Sequence, residues 1–125
     1  MAVDPQHTDV ERFMQEDPGG PVVILNLVRF KKGGRASYEA YASAVMPFIQ
    51  KVGAQPLYAG DGSTALVADP GQTWDAVLLV RYPSRAAFLQ MVADPEYQHI
   101  AHLRTEALQE AVLQATTPWA TSPEP

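Results

Sequence analysis

Two histidines stand three residues apart in the second half of the chain, and an arginine follows them closely. His99 and His102 lie in a segment of helical spacing, so their side chains share one side of the predicted helix. Histidine titrates near neutral pH, which suits it to moving a proton. Arg104 presents a planar fork of donors that matches a carboxylate. These three residues are the predicted catalytic group, with histidine as base and with Arg104, or alternatively Asn26, stabilising negative charge.

A structural interpretation of the same residues competes with the catalytic one. Histidines on an exposed helix face are commoner than functional ones, and Arg104 can instead bond to a backbone carbonyl or to Glu106. Most zinc sites need at least three protein ligands, and the remaining histidine, His7, lies in a predicted N-terminal appendage. We therefore expect no metal and no cofactor. Haem ligation by the paired histidines stays open as an alternative.

Polar and aromatic residues of the predicted strands and helices supply a candidate ligand site. Asn26 interrupts the apolar strand PVVILNLVRF, and an amide buried there without a partner costs about 1–3 kcal/mol. It either bonds within the core or faces a polar cavity. Tyrosines on apolar helix faces either pack in the core or bring their hydroxyls to a pocket. The predicted ligand-binding residues are Asn26, Tyr38, Tyr41, Trp74, Tyr82 and Tyr97.

Composition excludes several classes of protein. The chain has 125 residues, 46% of them hydrophobic, as expected for one globular domain. It has no cysteine, which excludes disulfides, thiolate zinc sites, iron–sulfur clusters and cysteine nucleophiles. A net charge of −5 argues against nucleic acid as a partner. Neither a signal peptide nor an apolar run long enough for a membrane span is apparent, so we expect a soluble, cytoplasmic protein.

Hydrophobic periodicity and turn residues divide the chain into short elements. Residues 1–20 are predicted to form a helical appendage capped by Thr8 or Asp9, residues 21–117 the main domain, and residues 118–125 a flexible tail. Within the domain we predict strands at 21–30, 55–60, 63–68, 74–82 and 109–116, and helices at 35–52, after Ser84 and from Asp94. Gly60-Asp61-Gly62 is the expected hairpin turn, and Pro47 is expected to kink or break its helix.

This order of elements is the split βαβ pattern of a ferredoxin-like α+β fold, βαββαβ, with an antiparallel sheet. The two most apolar strands, 22–30 and 75–82, are predicted to be central. We expect Leu27 opposite Val77 and an ion pair between Arg29 and Asp75 at the rim of the sheet.

Both faces of the first strand are apolar, which raises the question of what covers each of them. Two helices cover one face, and leaving the other in water costs about 25 cal/mol per Å². The N-terminal segment is able to cover part of that face, whereas a second copy of the sheet is able to cover all of it. We therefore predict a homodimer that associates face to face.

A family resemblance supports this architecture. The segments PVVILNLVRF, YEAYA, GAQPLYAG, WDAVLLVRYPS, AAF, DPEY and HLRTEAL resemble DUF1330, an uncharacterised family of the dimeric α+β-barrel superfamily, over residues 20–117. The resemblance implies the ferredoxin-like fold and the face-to-face dimer, a dimeric α+β barrel. It implies no particular reaction, because related families include cofactor-independent monooxygenases, haem-degrading enzymes, chlorite dismutases and muconolactone isomerases.

Three functional hypotheses follow from these residues. The first is a small-molecule-binding domain or cofactor-independent enzyme, oxygenase- or isomerase-like, acting on a small apolar or aromatic compound between sheet and helices. The second is a non-catalytic dimeric interaction or regulatory module, and the third is a haem-binding protein. No phosphate loop, G-x-S-x-G or H-E-x-x-H motif is present to decide between them.

Overall fold

Four helices and four strands follow one another along residues 2–119, the part of the chain that the computed structural model describes. In chain order they are α1 (His7–Gln15), β1 (Val22–Phe30), α2 (Arg35–Lys51), β2 (Gln55–Asp61), β3 (Ala76–Tyr82), α3 (Arg85–Ala93), α4 (Pro95–Ala107) and β4 (Leu108–Thr116). The strands form one antiparallel sheet in the order β2-β3-β1-β4. The predicted ferredoxin-like α+β fold is therefore confirmed. Most of the predicted C-terminal tail lies outside the described residues.

The two most apolar strands, β1 and β3, occupy the centre of the sheet. Leu25 faces Leu79 and Leu27 faces Val77 across this pair, which confirms the predicted register. Side chains alternate between the two faces of a strand, so a shift by one residue would exchange the faces.

The predicted ion pair between Arg29 and Asp75 is wrong. Arg29 instead pairs with Glu110, which lies directly opposite it on β4. Asp75 precedes the first paired residue of β3, and its carboxylate accepts a hydrogen bond of 2.8 Å from the backbone amide of Phe30. The carboxylate of Asp75 therefore binds the backbone amide of Phe30, and Arg29 pairs with Glu110 on the neighbouring strand.

The predicted strand at 63–68 is also wrong. β2 pairs directly with β3, with Asp61 opposite Ala76. Residues 62–75 form the loop between them, closed by a 2.8 Å hydrogen bond from the amide of Gly62 to the carbonyl of Asp75. Leu66 and Val67 are each 95% exposed in this loop. Because β3 already occupies the inner edge of β2, the segment has no strand to pair with there.

Only one face of the sheet is covered within residues 2–119. Val22, Ile24 and Val28 of β1 are nearly inaccessible to solvent and pack under the helices. The alternate residues point the other way. Leu25, Leu27, Val77 and Leu79 are partly exposed and contribute nothing to that core cluster. We call these four residues the bare face.

Helix α2 is continuous through Pro47, so the predicted break is absent. Pro47 lacks the amide hydrogen that would bond to the carbonyl of Ser43. Both residues are exposed, which leaves that carbonyl open to water.

The residues 2–17, which we call the arm, pack on the helix side of the sheet. The ring of Phe13 contacts that of Phe88 on α3, with centroids 5.6 Å apart. The buried Arg85 donates to the carbonyl of Phe13 at 2.6 Å. The amide of Ala111 on β4 donates to the carbonyl of Ala2 at 2.8 Å. The arm therefore leaves the bare face uncovered. Its helix begins after Gln6 without a side-chain cap, so the predicted capping by Thr8 or Asp9 is wrong.

Replacing Ser84 is expected to weaken the start of α3. Its hydroxyl accepts a hydrogen bond of 3.0 Å from the amide of Ala87, as predicted for this cap. Loss of a cap of this kind costs about 1 kcal/mol. Ser84→Ala should lower the unfolding free energy by that amount in urea titration, whereas Ser84→Asp retains an acceptor and should not. Equal stability of Ser84→Ala and the unmodified protein would contradict this role.

Candidate functional site

A cavity of about 380 Å³ lies between the covered face of the sheet and helices α2, α3 and α4. Its volume is that of a pocket for a small organic molecule. The floor comes from β1, β3 and β4, with Leu78 and Leu113 beside Asn26. Asn26 lines the cavity together with these two leucines.

Three tyrosines stand along one wall of the cavity. Tyr38 and Tyr41 come from α2 and Tyr97 from α4, and all three are buried. The hydroxyl oxygens of Tyr41 and Tyr97 are 2.8 Å apart and share a hydrogen bond. Burial raises the pKa of Tyr38 and of Tyr41 above its ordinary value, although the nearby charge of Arg104 acts in the opposite direction. Both side chains are therefore neutral hydroxyls at physiological pH rather than phenolate bases.

Tyr82 lies on the cavity floor at the end of β3. Burial raises its pKa as well, and the nearby Tyr97 adds to the shift. Its hydroxyl is 4.0 Å from the sulfur of Met91, a weak acceptor. Tyr82 therefore contributes mainly its ring and a neutral hydroxyl.

Arg104 brings a fixed positive charge to the cavity wall. It is 7% exposed, and its Nη1 donates to the carbonyl of Val3 in the arm at 2.7 Å. The same nitrogen is 3.6 Å from the carboxylate of Asp4. Its other terminal nitrogen, Nη2, is buried and has no hydrogen-bond partner among residues 2–119. One side of the guanidinium thus holds the arm, and the other has an unused donor.

The structure separates the predicted site residues into two groups. Six of them line the cavity: Asn26, Tyr38, Tyr41, Tyr82, Tyr97 and Arg104.

The other three predicted residues lie elsewhere. His99 and His102 are exposed on α4 and do not line the cavity, so their predicted place in the pocket is wrong. Trp74 lies outside the cavity too, beneath the guanidinium of Arg29 at 4.3 Å. Tyr97 and Arg104 occupy the inward side of α4, and that spacing turns the two histidines to solvent.

Several cavity residues were missed by the sequence analysis. Ala42 and Ala101 follow Tyr41 and Tyr97 by one and four residues, and both line the cavity. The helical spacing of Ala101 after Tyr97 was a usable signal, because such residues share a helix face. Asp4 of the arm also lines the cavity, and no local sequence pattern predicted this position.

The cavity extends across the width of the sheet. Its lining includes Asp4 and Pro5 of the arm on the β4 side, and Pro56 and Tyr58 of β2 at the opposite edge. The arm thus forms part of the enclosure of the site.

Two other features are absent from the part of the chain that the structure describes. Within residues 2–119, no three histidine, aspartate or glutamate side chains come together in a way that would hold a metal ion. In the same part of the chain, none of the helices has the length and apolar character needed to cross a bilayer.

Comparison with solved structures identifies proteins of the same fold. The RPA0582 protein of unknown function from Rhodopseudomonas palustris is 29% identical, with a TM-score of 0.86 over 94% of this chain and 96% of that one. An uncharacterized NIPSNAP domain protein from Burkholderia xenovorans is 16% identical, with a TM-score of 0.60 over 82% and 99% of the two chains. The hydroxynitrile lyase from Passiflora edulis is 16% identical, with a TM-score of 0.64 over 85% and 100%.

The last two likenesses show the fold alone, the ferredoxin-like α+β fold. No curated protein matches the sequence. The family described as "Domain of unknown function (DUF1330)" matches residues 24–116, nearly the whole of the sheet and its helices. The chain therefore belongs to the DUF1330 family.

Proposed function

We propose that this protein is a homodimeric domain that binds one small apolar or aromatic compound in the cavity of each protomer. The cavity is the observation that carries the proposal, because its walls are mainly apolar while a few polar groups converge on it. Those groups are the amide of Asn26, the tyrosine hydroxyls and the guanidinium of Arg104. Small-molecule sites typically combine these two features.

The same groups support a cofactor-independent reaction, such as an isomerisation or oxygenation. Neutral hydroxyls and a fixed guanidinium donate hydrogen bonds, and donors of this kind stabilise negative charge that develops on an oxygen of the substrate. Tyr41, Tyr97 and Arg104 are in our proposal the residues with this role. His99 and His102, predicted as the base, have no place in it because they do not reach the cavity.

The bare face supports the dimer. Leu25, Leu27, Val77 and Leu79 form a continuous apolar surface on the two central strands, and surfaces of this kind mark sites of association. The arm lies on the opposite side of the sheet and leaves this surface open. A second copy, related by a two-fold axis, would bury the same four residues of each protomer.

A neutral fluorescent probe, N-phenyl-1-naphthylamine, tests binding in the cavity. Ala42 lines the cavity, and its neighbour Ser43 is exposed on the same helix. We expect Ala42→Trp to weaken probe binding by about tenfold or more, since the indole fills the space of a ligand ring. Ser43→Trp places the same side chain outside the cavity and should bind like the unmodified protein.

Binding that is unaffected by Ala42→Trp would refute the cavity as the site. The bare face is unchanged in both tryptophan variants, so probe that associates with it contributes equally to each titration. Thermal melting of both variants establishes that the comparison is made on folded protein.

The two alternatives from the sequence gain less support. A non-catalytic interaction module predicts a filled core, whereas this domain encloses a cavity. The haem hypothesis assigned the iron to His99 or His102, and neither of them lines the cavity. A cytoplasmic location stays a prediction.

A further inference from the structure

We propose that the compound bound in the cavity is a monocarboxylate with a planar apolar body, and that Nη2 of Arg104 binds its carboxylate. This inference rests on the proposed function and deepens it by specifying the chemical class of the ligand. It is carried by the hydrogen bonds of one side chain, by the proton count of a tyrosine pair and by the charges that line the cavity.

The hydrogen bonds of Arg104 are incomplete. Nη1 is used by the carbonyl of Val3 at 2.7 Å and lies 3.6 Å from the carboxylate of Asp4. Nη2 is buried without a partner among the described residues. Buried donors are almost always paired in folded proteins. A carboxylate suits this free donor best, because a hydrogen bond from a guanidinium to an ionised acceptor is about twice as strong as one to a neutral acceptor.

The tyrosine pair supplies a second donor nearby. Two hydroxyls carry two protons, and the single bond between Tyr41 and Tyr97 uses one of them. The other proton is available to an acceptor in the cavity. Arg104, Tyr38 and Tyr41 line the same cavity. A ligand oxygen near Nη2 therefore lies within a group of donors.

The charges of the lining also favour an anion. Among the described residues, the cavity is lined by one arginine and one carboxylate, Arg104 and Asp4. The carboxylate of Asp4 is more than half exposed, whereas the guanidinium of Arg104 is buried. The positive charge inside is thus only partly balanced. A ligand with one negative charge completes the balance, and the apolar floor at Leu78 and Val80 accepts its body.

Competition between two ligands of the same shape tests the proposal. 2-Naphthoate and 2-naphthamide differ in charge, and each is titrated against bound N-phenyl-1-naphthylamine. We expect the unmodified protein to prefer the carboxylate by about 10- to 100-fold, the factor typical of a hydrogen bond to a charged group. In Arg104→Gln the preference should fall to about 3-fold or less.

A matched variant separates charge recognition from loosening of the arm. Arg85 is also buried and also holds an arm carbonyl, that of Phe13, but it does not line the cavity. Arg85→Gln should therefore keep the carboxylate preference while releasing a comparable contact. If Arg85→Gln loses the preference as fully as Arg104→Gln does, the arm and not the charge is responsible, and the proposal is overturned.

A variant that leaves Arg104 intact gives an independent measurement. Asp4→Asn removes the carboxylate that competes for the guanidinium and should raise affinity for 2-naphthoate by about 2- to 5-fold, with 2-naphthamide unchanged. Equal affinity of the unmodified protein for the two competitors would end the proposal. In that case, probe binding that still depends on Ala42 would leave the proposed function standing.

Discussion

A Leu27→Glu variant is expected to sediment as a single chain at micromolar concentrations at which the unmodified protein is, in our proposal, a dimer. Leu27 lies between Val77 of β3 and Val112 of β4, near the middle of the bare face. An unpaired charge buried in an interface costs about 3 kcal/mol or more, which weakens association by more than about a hundredfold. In the monomer the same glutamate is open to water, so the fold should survive.

Sedimentation equilibrium compares this variant with Ser43→Glu. Ser43 is exposed on α2, away from the bare face, so the same added charge there should leave the dimer intact. Circular dichroism of both variants checks that the sheet is formed. A dimer that persists in Leu27→Glu, or an unmodified protein that is already monomeric, would refute association through this face.

The sheet was predictable because its pattern is short-ranged and repeated. β1 and β3 are the most apolar strands and both end in turn residues, which predicted their central place. Their register was predicted by setting Arg29 opposite Asp75, and it is correct although these two side chains do not pair. The segment 63–68 has similar local propensity but lies in a loop. Its failure to form a strand depends on β3 having already paired with β2, which is a property of the whole sheet.

The site was predictable where a residue's helix face was apparent. Tyr97 and Arg104 follow the apolar side of α4, and both line the cavity. Spacing predicted that His99 and His102 share one side of the helix, but it did not predict which side. In the structure that side faces solvent. The covering of the cavity by Asp4 depends on a contact between residues about a hundred positions apart, that of Arg104 with Val3.

Raising the pH above about 10 is expected to unfold the protein steeply. Burial raises the pKa of Tyr38, Tyr41 and Tyr82, so these hydroxyls keep their protons in the folded chain at a pH where the unfolded chain loses them. Stability is therefore complete below the ordinary tyrosine pKa and falls as the pH rises above it. Tyr41 and Tyr82 each contribute about 1.4 kcal/mol per pH unit, and Tyr38 acts in the same direction. The loss is therefore a large part of the 5–15 kcal/mol typical of a domain.

Urea unfolding between about pH 8 and pH 11 measures this slope, and the ultraviolet absorbance of tyrosinate should appear together with unfolding. Tyr82→Phe is the matched variant. Among the described residues the hydroxyl of Tyr82 has one hydrogen-bond partner, the sulfur of Met91 at 4.0 Å, which is a weak acceptor, so its loss costs little near neutral pH. The variant has one buried hydroxyl fewer, so its stability should fall less steeply, by about 1.4 kcal/mol per pH unit. Tyr41→Phe would be less informative, since it also removes the bond to Tyr97. A free energy of unfolding that is constant across this pH range would mean that these hydroxyls are not buried in solution. The arrangement of these tyrosines around the cavity would then be refuted as well.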